Sequence, residues 1–186
     1  MDGPAAPAGL TRLIPDSASH GSRQWFRIGE QMSALGLPWN LDTWNGYPAA
    51  RTRFLEACAI HANNVVVLGG DSHNCWVNNI SAPSGGRLAA LEFAGGSITS
   101  PGAERTLTNA APGEREATMR AGNPQLAFCD VTNRGYGALR FTRSECAAEW
   151  IAFADVRAAA PGVPAVTRMR ASASASGGPG AWSALT

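Results

Sequence analysis

Residues 64–74 read NVVVLGGDSHN, a run of branched apolar residues that ends in two glycines and a polar turn. An uninterrupted apolar run of this length, bounded by glycine, is typical of a β-strand that is buried on both faces. We therefore predict a central strand over 64–70. The polar residues follow its carboxyl end, where the loops of α/β proteins carry ligand sites because the sheet interior cannot hold polar groups.

The neighbouring segments predict an α/β protein. Before the strand, apolar residues recur at the helical period behind a first-turn proline, which predicts an amphipathic helix; these residues are Ala50, Phe54, Leu55, Cys58 and Ala62. After it, apolar runs separated by Gly, Pro and Asn predict four further strands and one short helix. The strands are expected over 88–93, 125–131, 136–142 and 149–156, and the helix over 114–120.

Composition divides the chain into one domain and two looser ends. Residues 1–23 are rich in Pro, Ala, Gly and Ser and predict a flexible lead-in. Residues 171–186 contain the run ASASASGGPG, which has too little apolar surface to offset its chain entropy. We therefore expect a single domain over 24–170, followed by a flexible tail.

Composition also excludes several functions. With 186 residues and 45% hydrophobic content, the chain folds rather than staying disordered. Its net charge of +1 predicts no nucleic-acid partner, and all 15 basic residues are Arg, which excludes Walker-type phosphate loops and Schiff-base chemistry. No apolar run of about 18 residues predicts a membrane span. The first residues do not have the pattern of a signal peptide.

The four cysteines are predicted to be buried, free thiols. They lie far apart in the chain and form no C-x-x-C pair of the kind that zinc sites and thioredoxin-like centres use. Cysteine commonly behaves as a small apolar side chain in protein cores. We apply this interpretation to Cys58, Cys75, Cys129 and Cys146.

Asp71 and His73 are the candidate metal ligands in the loop after the predicted strand. In an extended segment, side chains two positions apart point the same way and lie about 6 to 7 Å apart. A carboxylate and an imidazole together suit iron, manganese or zinc, and paired metal ions are a common device for hydrolysing phosphate esters. The alternative from spacing alone is that Asp71 caps a turn and His73 makes an ordinary surface hydrogen bond.

The wording of several segments resembles the carboxyl-terminal half of the PhoD-like alkaline phosphatases. Members of that family usually have the motif W-D-G-Y-P-A-x-R before a strand that ends in G-D-x-H. The corresponding segments of this chain are TWNGYPAAR at 43–51 and GDSH at 70–73. Further segments agree in order over about residues 24–170. They are LEF at 91–93, SITS at 97–100, NP at 123–124, NRGY at 133–136 and AEW at 148–150.

The resemblance implies a metallophosphoesterase-like β-sandwich flanked by helices, in an α/β/β/α arrangement, of which this chain holds the carboxyl-terminal half. It implies hydrolysis of phosphate esters at a centre of iron and calcium ions, with Asp71 and His73 as ligands. It also implies export to the periplasm or the medium. Asn45 replaces the family's usual aspartate, and the upstream metal-binding segments are missing. A missing amino-terminal half, or another chain, is therefore an expected partner.

Two other functions remain open on the sequence. The chain is an inactive remnant or fragment of the fold, or Gly70-Asp71-Ser72 serves a GDSL-type esterase with Ser72 as the nucleophile. The esterase needs a later histidine as base, and none follows His73. Of the other histidines, His20 falls in the predicted lead-in and His61 is expected to interact with carbonyls at a helix end.

Three aromatic residues and one arginine receive structural interpretations. Trp44 and Tyr47 are expected to pack beneath the following helix rather than to line a substrate pocket. Trp150 is expected in the core. Arg134 has the bidentate geometry for phosphate, but a solvent-exposed turn arginine is the interpretation we prefer.

Overall fold

A computed structural model describes residues 6–38, 40–111, 113–162, 164–175 and 178–185 of the chain. Within these residues, three α-helices precede or interrupt the strands: α1 (His20–Ala34), α2 (Pro48–His61) and α3 (Glu114–Ala121). Single 3-10 turns occupy Leu10–Leu13, Trp44–Gly46 and Ala103–Arg105. Helices α2 and α3 confirm both helix predictions, whereas the sequence analysis contained no counterpart of α1.

The first sheet has four strands in the order β1-β3-β2-β4. These are β1 (Val66–Gly69), β2 (Cys75–Ser81), β3 (Leu88–Ala94) and β4 (Leu126–Asp130). Strand β1 runs parallel to β3, and the other pairs are antiparallel. The carboxyl ends of β1 and β3 therefore lie at the same edge of the sheet, together with the start of β2.

The second sheet is an antiparallel meander in the order β5-β6-β7-β8. Its strands are β5 (Arg134–Phe141), β6 (Glu145–Phe153), β7 (Ala165–Ser172) and the short β8 (Ser183–Ala184). The predicted strands over 136–142 and 149–156 correspond to β5 and β6. Strands β2, β7 and β8 were not predicted.

The two sheets pack face to face, and a helix covers the other face of the first sheet. Between the sheets lie side chains from both, among them Val77, Phe93, Trp150 and Met169. On the opposite face, Leu55 and Ala59 of α2 pack against β2 and β3 through Ile80, Ala89 and Ala90. This arrangement of two sheets with few helices confirms the predicted β-sandwich of the α/β class.

The described part of the predicted flexible lead-in contains a packed 3-10 turn, whereas residues 1–5 of that lead-in lie outside the described residues. Leu10, Leu13 and Ile14 are buried in a cluster that also contains Trp76 of β2 and Met119 of α3. The 3-10 turn is tied further to α1 because Thr11 donates from its amide nitrogen to Glu30 Oε1 at 2.8 Å. Its apolar residues are too few for a sequence pattern, but they complete a core that β2 and α3 leave open.

Strand β1 differs from its prediction, because it lies at the edge of the first sheet instead of its centre. Within the described part of the chain it pairs only with β3. Its side chains are half-buried or exposed, and Leu68 is 59% exposed. The apolar run correctly indicated a strand, but apolar character does not specify how many neighbouring strands a sequence finds.

All four cysteines are free and buried, as predicted. Burial raises the pKa of each thiol, and the effect is largest at Cys75 and Cys129. Burial raises the pKa of Cys129 to about 12, with opposing contributions from Arg120, which lowers it, and Glu116, which raises it. These thiols are therefore structural, since a reactive cysteine needs a lowered pKa and access to solvent.

The carboxyl-terminal segment, predicted as a flexible tail, also contributes to the core. Trp182 is buried and its amide nitrogen donates to Asn79 Oδ1 at 2.8 Å. Residues 176, 177 and 186 of the predicted tail lie outside the described residues. None of the helices in the described ranges is long and apolar enough to cross a membrane.

Candidate functional site

The loop after β1, Gly70 to Asn74, turns sharply instead of continuing as an extended chain. Asp71 and His73 have φ angles of 64° and 61°, in the left-handed region that L-residues rarely adopt. The Ser72 amide nitrogen donates to the Gly70 carbonyl oxygen at 2.7 Å, which closes a tight turn. The extended geometry assumed for the aspartate and the histidine is therefore wrong.

Asp71 is exposed and lines a cavity of about 450 Å³ at the carboxyl edge of β1 and β3. The cavity is bounded on one side by the 3-10 turn before α2 and on the other by the strands. Its walls include Trp44, Tyr47, Trp76 and Glu92. The carboxylate predicted as a ligand thus faces a space large enough for a small molecule.

The ring of His73 is held by the neighbouring loop. Its Nδ1 lies 2.9 Å from the carbonyl oxygen of Pro101. Because a carbonyl only accepts, Nδ1 donates this hydrogen bond, which leaves Nε2 as the ring nitrogen that could bind a metal ion. Metal-binding histidines are commonly oriented in this way, by a backbone carbonyl on the ring nitrogen that does not face the metal.

Arg134 fastens the loop, contrary to the expectation that it is a solvent-exposed turn residue. The residue begins β5 and is only 7% exposed. Its guanidinium donates to the carbonyl oxygen of His73 and forms an ion pair with Glu104. The reason for the difference is distance in the chain, since the two partners of Arg134 lie on loops that folding brings to the start of β5.

Asn74 joins the same two loops beneath the site. Its Nδ2 donates to the Ser72 carbonyl oxygen at 2.6 Å, and its Oδ1 accepts from the amide nitrogen of Ala103 at 3.0 Å. Gly102 lies directly against the side chains of Asn74 and Arg134, so a Cβ at this position would collide with both. We call Asn74, Gly102, Glu104 and Arg134 the loop clamp.

Ser72 occupies a structural position. Its Oγ accepts from Nε1 of Trp76 at 2.7 Å. Among the described residues, no histidine is hydrogen-bonded to Ser72, and the ring of His73 is engaged by Pro101. A nucleophilic serine requires a base within hydrogen-bond reach, so this geometry gives no support to the serine esterase.

Glu92 is a part of the site that the sequence analysis did not single out. This residue of β3 is 1% exposed and lines the cavity that Asp71 faces. Its Oε2 accepts from Nδ2 of Asn78 on the neighbouring strand β2 at 2.7 Å. A carboxylate within an apolar strand, Leu91-Glu92-Phe93, is the sequence signal that could have identified it, because buried carboxylates are rare unless they are paired or functional.

The two aromatic residues before α2 have different surroundings. Trp44 packs on Phe54 of the helix, with ring centroids 5.3 Å apart, as expected. Tyr47 is 61% exposed, so it does not pack beneath the helix. Both residues line the cavity with Asp71. Trp150 is buried between the sheets, as expected, and its Nε1 donates to Asp130 Oδ2 at 2.8 Å.

The donors at the site suit a metal ion in kind, but the described residues do not form a complete ligand set. Asp71 offers a carboxylate and His73 an imidazole nitrogen. Within the described part of the chain, no group of three or more His, Cys, Asp or Glu side chains is placed to hold a metal ion. The remaining histidines, His20 and His61, lie at the first residue of α1 and the last residue of α2.

The fold and the loop after β1 define an α/β protein with two facing sheets and a candidate site at the carboxyl ends of β1 and β3. Comparison with known proteins specifies the family. A family model described as PhoD-like phosphatase matches residues 11–150. The chain therefore belongs to the PhoD-like phosphatase family.

Two individual relatives agree with this assignment. Alkaline phosphatase D of Bacillus subtilis (strain 168) is 40% identical over 68 residues, which are 34% of this chain and 12% of that protein. A solved structure titled "Structure of PhoD" has a TM-score of 0.59 and 24% identity, and the similarity covers 79% of this chain and 27% of the other. This second likeness concerns the fold, and the matched region spans only a minor part of either relative.

Proposed function

We propose that this chain contributes to a metal-dependent hydrolase of phosphoric esters of the alkaline phosphatase D type, with Asp71 and His73 as metal ligands. The observation that carries the proposal is the orientation of His73, whose protonated Nδ1 is bound by Pro101 and whose Nε2 is left to coordinate. A bound metal would polarise the phosphate ester and lower the pKa of water. The loop clamp would hold the two ligands in a fixed relation.

We further propose that the site is completed by a partner segment outside the described residues. Two donors are fewer than the four or more that iron, manganese and zinc usually take. Within the described residues, no strand pairs with the outer edge of β1, and this strand bears the exposed Leu68 near Asp71. A strand added to this edge would bring its own carboxyl-end loop beside Asp71, as parallel strands do. The partner is expected to be the amino-terminal half of the family fold or another chain.

The proposal is tested by adding the amino-terminal half of a related phosphatase to the purified chain. We expect bound metal and hydrolysis of a chromogenic phosphate ester from the mixture, and little of either from the chain alone. Asp71→Ala and His73→Ala should each remove most of the activity of the mixture. Ser72→Ala is the matched control from the same loop and should leave much of it.

The same experiment distinguishes an active enzyme from an inactive remnant of the fold. The remnant is the second candidate, because the described residues supply only two candidate ligands. A remnant would bind the added half without gaining metal or activity. An Asp71→Ala or His73→Ala mixture that keeps full metal content and the unaltered rate would disprove the ligand assignment. Strong metal-dependent activity from the chain alone would disprove the need for a partner.

A further inference from the structure

The cavity beside Asp71 combines aromatic walls with carboxylates. Three aromatic residues line it, from the 3-10 turn before α2, from the residue between this turn and α2, and from β2. Three acidic residues lie among its other walls. Within the described part of the chain, no arginine or histidine lines this cavity. The aromatic residues are Trp44, Tyr47 and Trp76, and the acidic ones are Asp42, Asp71 and Glu92.

This combination selects the charge of a ligand. The face of an aromatic ring attracts cations because its quadrupole places negative charge there, and tryptophan is the strongest of the three aromatic residues. Exposed carboxylates such as those of Asp42 and Asp71 add to the attraction and repel anions. A neutral apolar group would gain burial in this cavity but nothing from the carboxylates.

The size of the cavity and its mostly apolar lining restrict the class of ligand further. A cavity of about 450 Å³ is within the usual range for small-molecule sites. A primary ammonium ion is strongly hydrated and loses that hydration at an aromatic wall, whereas a quaternary ammonium group has apolar methyl groups around its charge. Recognition of quaternary ammonium by groups of aromatic side chains is a general use of this interaction.

We propose that the cavity binds the quaternary ammonium group of a phosphate ester's alcohol portion. The proposal rests on the proposed function, because Asp71 belongs both to the cavity and to the metal site, and the ester phosphate would lie at that junction. The cavity would thus determine which ester is hydrolysed. The substrate class is a phosphate ester of a quaternary amino alcohol, either as a soluble molecule or as a lipid headgroup.

Binding is tested on the 186-residue chain without metal, by NMR titration of the ligand's N-methyl protons. Choline is compared with 3,3-dimethylbutan-1-ol, which has the same shape without the charge. We expect choline to bind at least about tenfold more tightly, which is the effect of one desolvated cation–aromatic contact. Equal affinities, or no binding of choline, would overturn the proposal.

Variants locate the binding within the cavity. Tyr47→Leu changes an exposed side chain and should leave the fold intact, yet weaken choline binding by about threefold to tenfold. Asp42→Asn should weaken choline binding and leave the binding of the neutral alcohol unchanged. Trp25→Leu, on α1 and outside the cavity lining, is the matched control and should have no effect. Loss of binding in the control alone would place the ligand elsewhere.

Two arms distinguish the source of the ammonium group. Glycerophosphocholine represents the soluble ester, and phosphatidylcholine vesicles in a sedimentation assay represent the lipid. Binding of glycerophosphocholine alone indicates a soluble substrate, and sedimentation with vesicles that Tyr47→Leu weakens indicates a lipid. These binding measurements require no turnover. A negative result would therefore contradict the proposed ammonium site without contradicting the proposed hydrolysis, which is measured separately with the chromogenic ester.

Discussion

Asp71 follows β1 and Asp130 ends β4 of the same sheet, and the two carboxylates have opposite surroundings. Asp130 is buried and accepts hydrogen bonds from Trp150 Nε1 at 2.8 Å, from both the amide and Nδ2 of Asn133, and from the amide of Thr132 at 3.0 Å. Asp71 is exposed, has a left-handed backbone conformation and faces a cavity. An aspartate at a strand end can therefore belong either to the fold or to the site, and hydrogen bonding distinguishes the two.

The largest expected effect is on stability, from Asp130→Ala. The substitution removes four hydrogen bonds and leaves Trp150 Nε1 buried without its acceptor, so we expect a loss of about 3 to 5 kcal/mol. Urea unfolding of the purified chain measures it. Asp155→Ala is the matched control, because Asp155 also accepts from a turn amide, that of Arg157, but is exposed. The control should change stability by less than about 0.5 kcal/mol, and equal losses would contradict the comparison.

The second prediction concerns the loop clamp, through which Arg134 at the start of β5 holds the loop of residues 70–74. Arg134→Ala leaves Glu104 without its ion-pair partner and the His73 carbonyl without its guanidinium donor, and should cost about 2 kcal/mol. Amide hydrogen exchange should accelerate in residues 70–74 more than in β6. Arg140→Ala, whose ion pair with Glu145 is exposed, should cost less than about 1 kcal/mol. Unchanged exchange in the loop would show that the clamp does not order it.

The third prediction concerns the stability of the chain at alkaline pH, which depends on the buried thiol of Cys129 next to Asp130. The pKa of this thiol is raised from 9.0 to about 12, so folded Cys129 keeps its proton where the unfolded chain loses it. The stabilising contribution is complete below pH 9 and falls by about 1.4 kcal/mol per pH unit up to about pH 12. Unfolding free energies at pH 8, 9 and 10 measure the total slope, to which the other buried thiols also contribute, and Cys129→Ala should reduce it by up to about 1.4 kcal/mol per pH unit. An unaltered slope would assign the effect to Cys75 and the other thiols.

The smallest expected effect has the opposite sign and occurs in the site loop. Glycine adopts φ near 64° without the steric cost that Asp71 bears, so Asp71→Gly should stabilise the chain by up to about 1 kcal/mol. Asp130→Gly, in contrast, should destabilise it. Thermal or urea unfolding compares the two. A destabilised Asp71→Gly chain would show that Asp71 has a structural role and would weaken its assignment to the site.

Several features were predictable from the sequence because they depend on near neighbours in the chain. The apolar spacing before β1 gave α2 within two residues, and the runs between turn residues gave β3 to β6. The order of the NGYPAAR, GDSH and NRGY segments indicated the family. The strand over 125–131 was predicted within one residue at each end, and Cys129 within it is buried, as the general preference of cysteine for the core predicted.

Other features could not be predicted, because their apolar signal is weak or their partners are distant. Strand β2 is polar at Asn78 and Asn79, and its burial comes from the second sheet and α2, which folding brings against its two faces. The left-handed turn at Asp71 is imposed by the loop clamp and the closing hydrogen bond to Gly70. Burial of Arg134 depends on Glu104 and on the His73 carbonyl, which lies 61 positions away.

The sequence by itself determined the family, the class of fold and the identity of the two candidate ligands, because strand and helix periodicity and motif wording are local. Only the tertiary structure decided that β1 is an edge strand, that Arg134 is buried beneath the site, and that Asp71 shares a cavity with Glu92 and three aromatic residues. The physical reason is that a residue's burial and partners are set by segments that folding brings together. The local sequence pattern therefore determines which secondary structure a segment can form, while tertiary packing determines which residues that segment contacts.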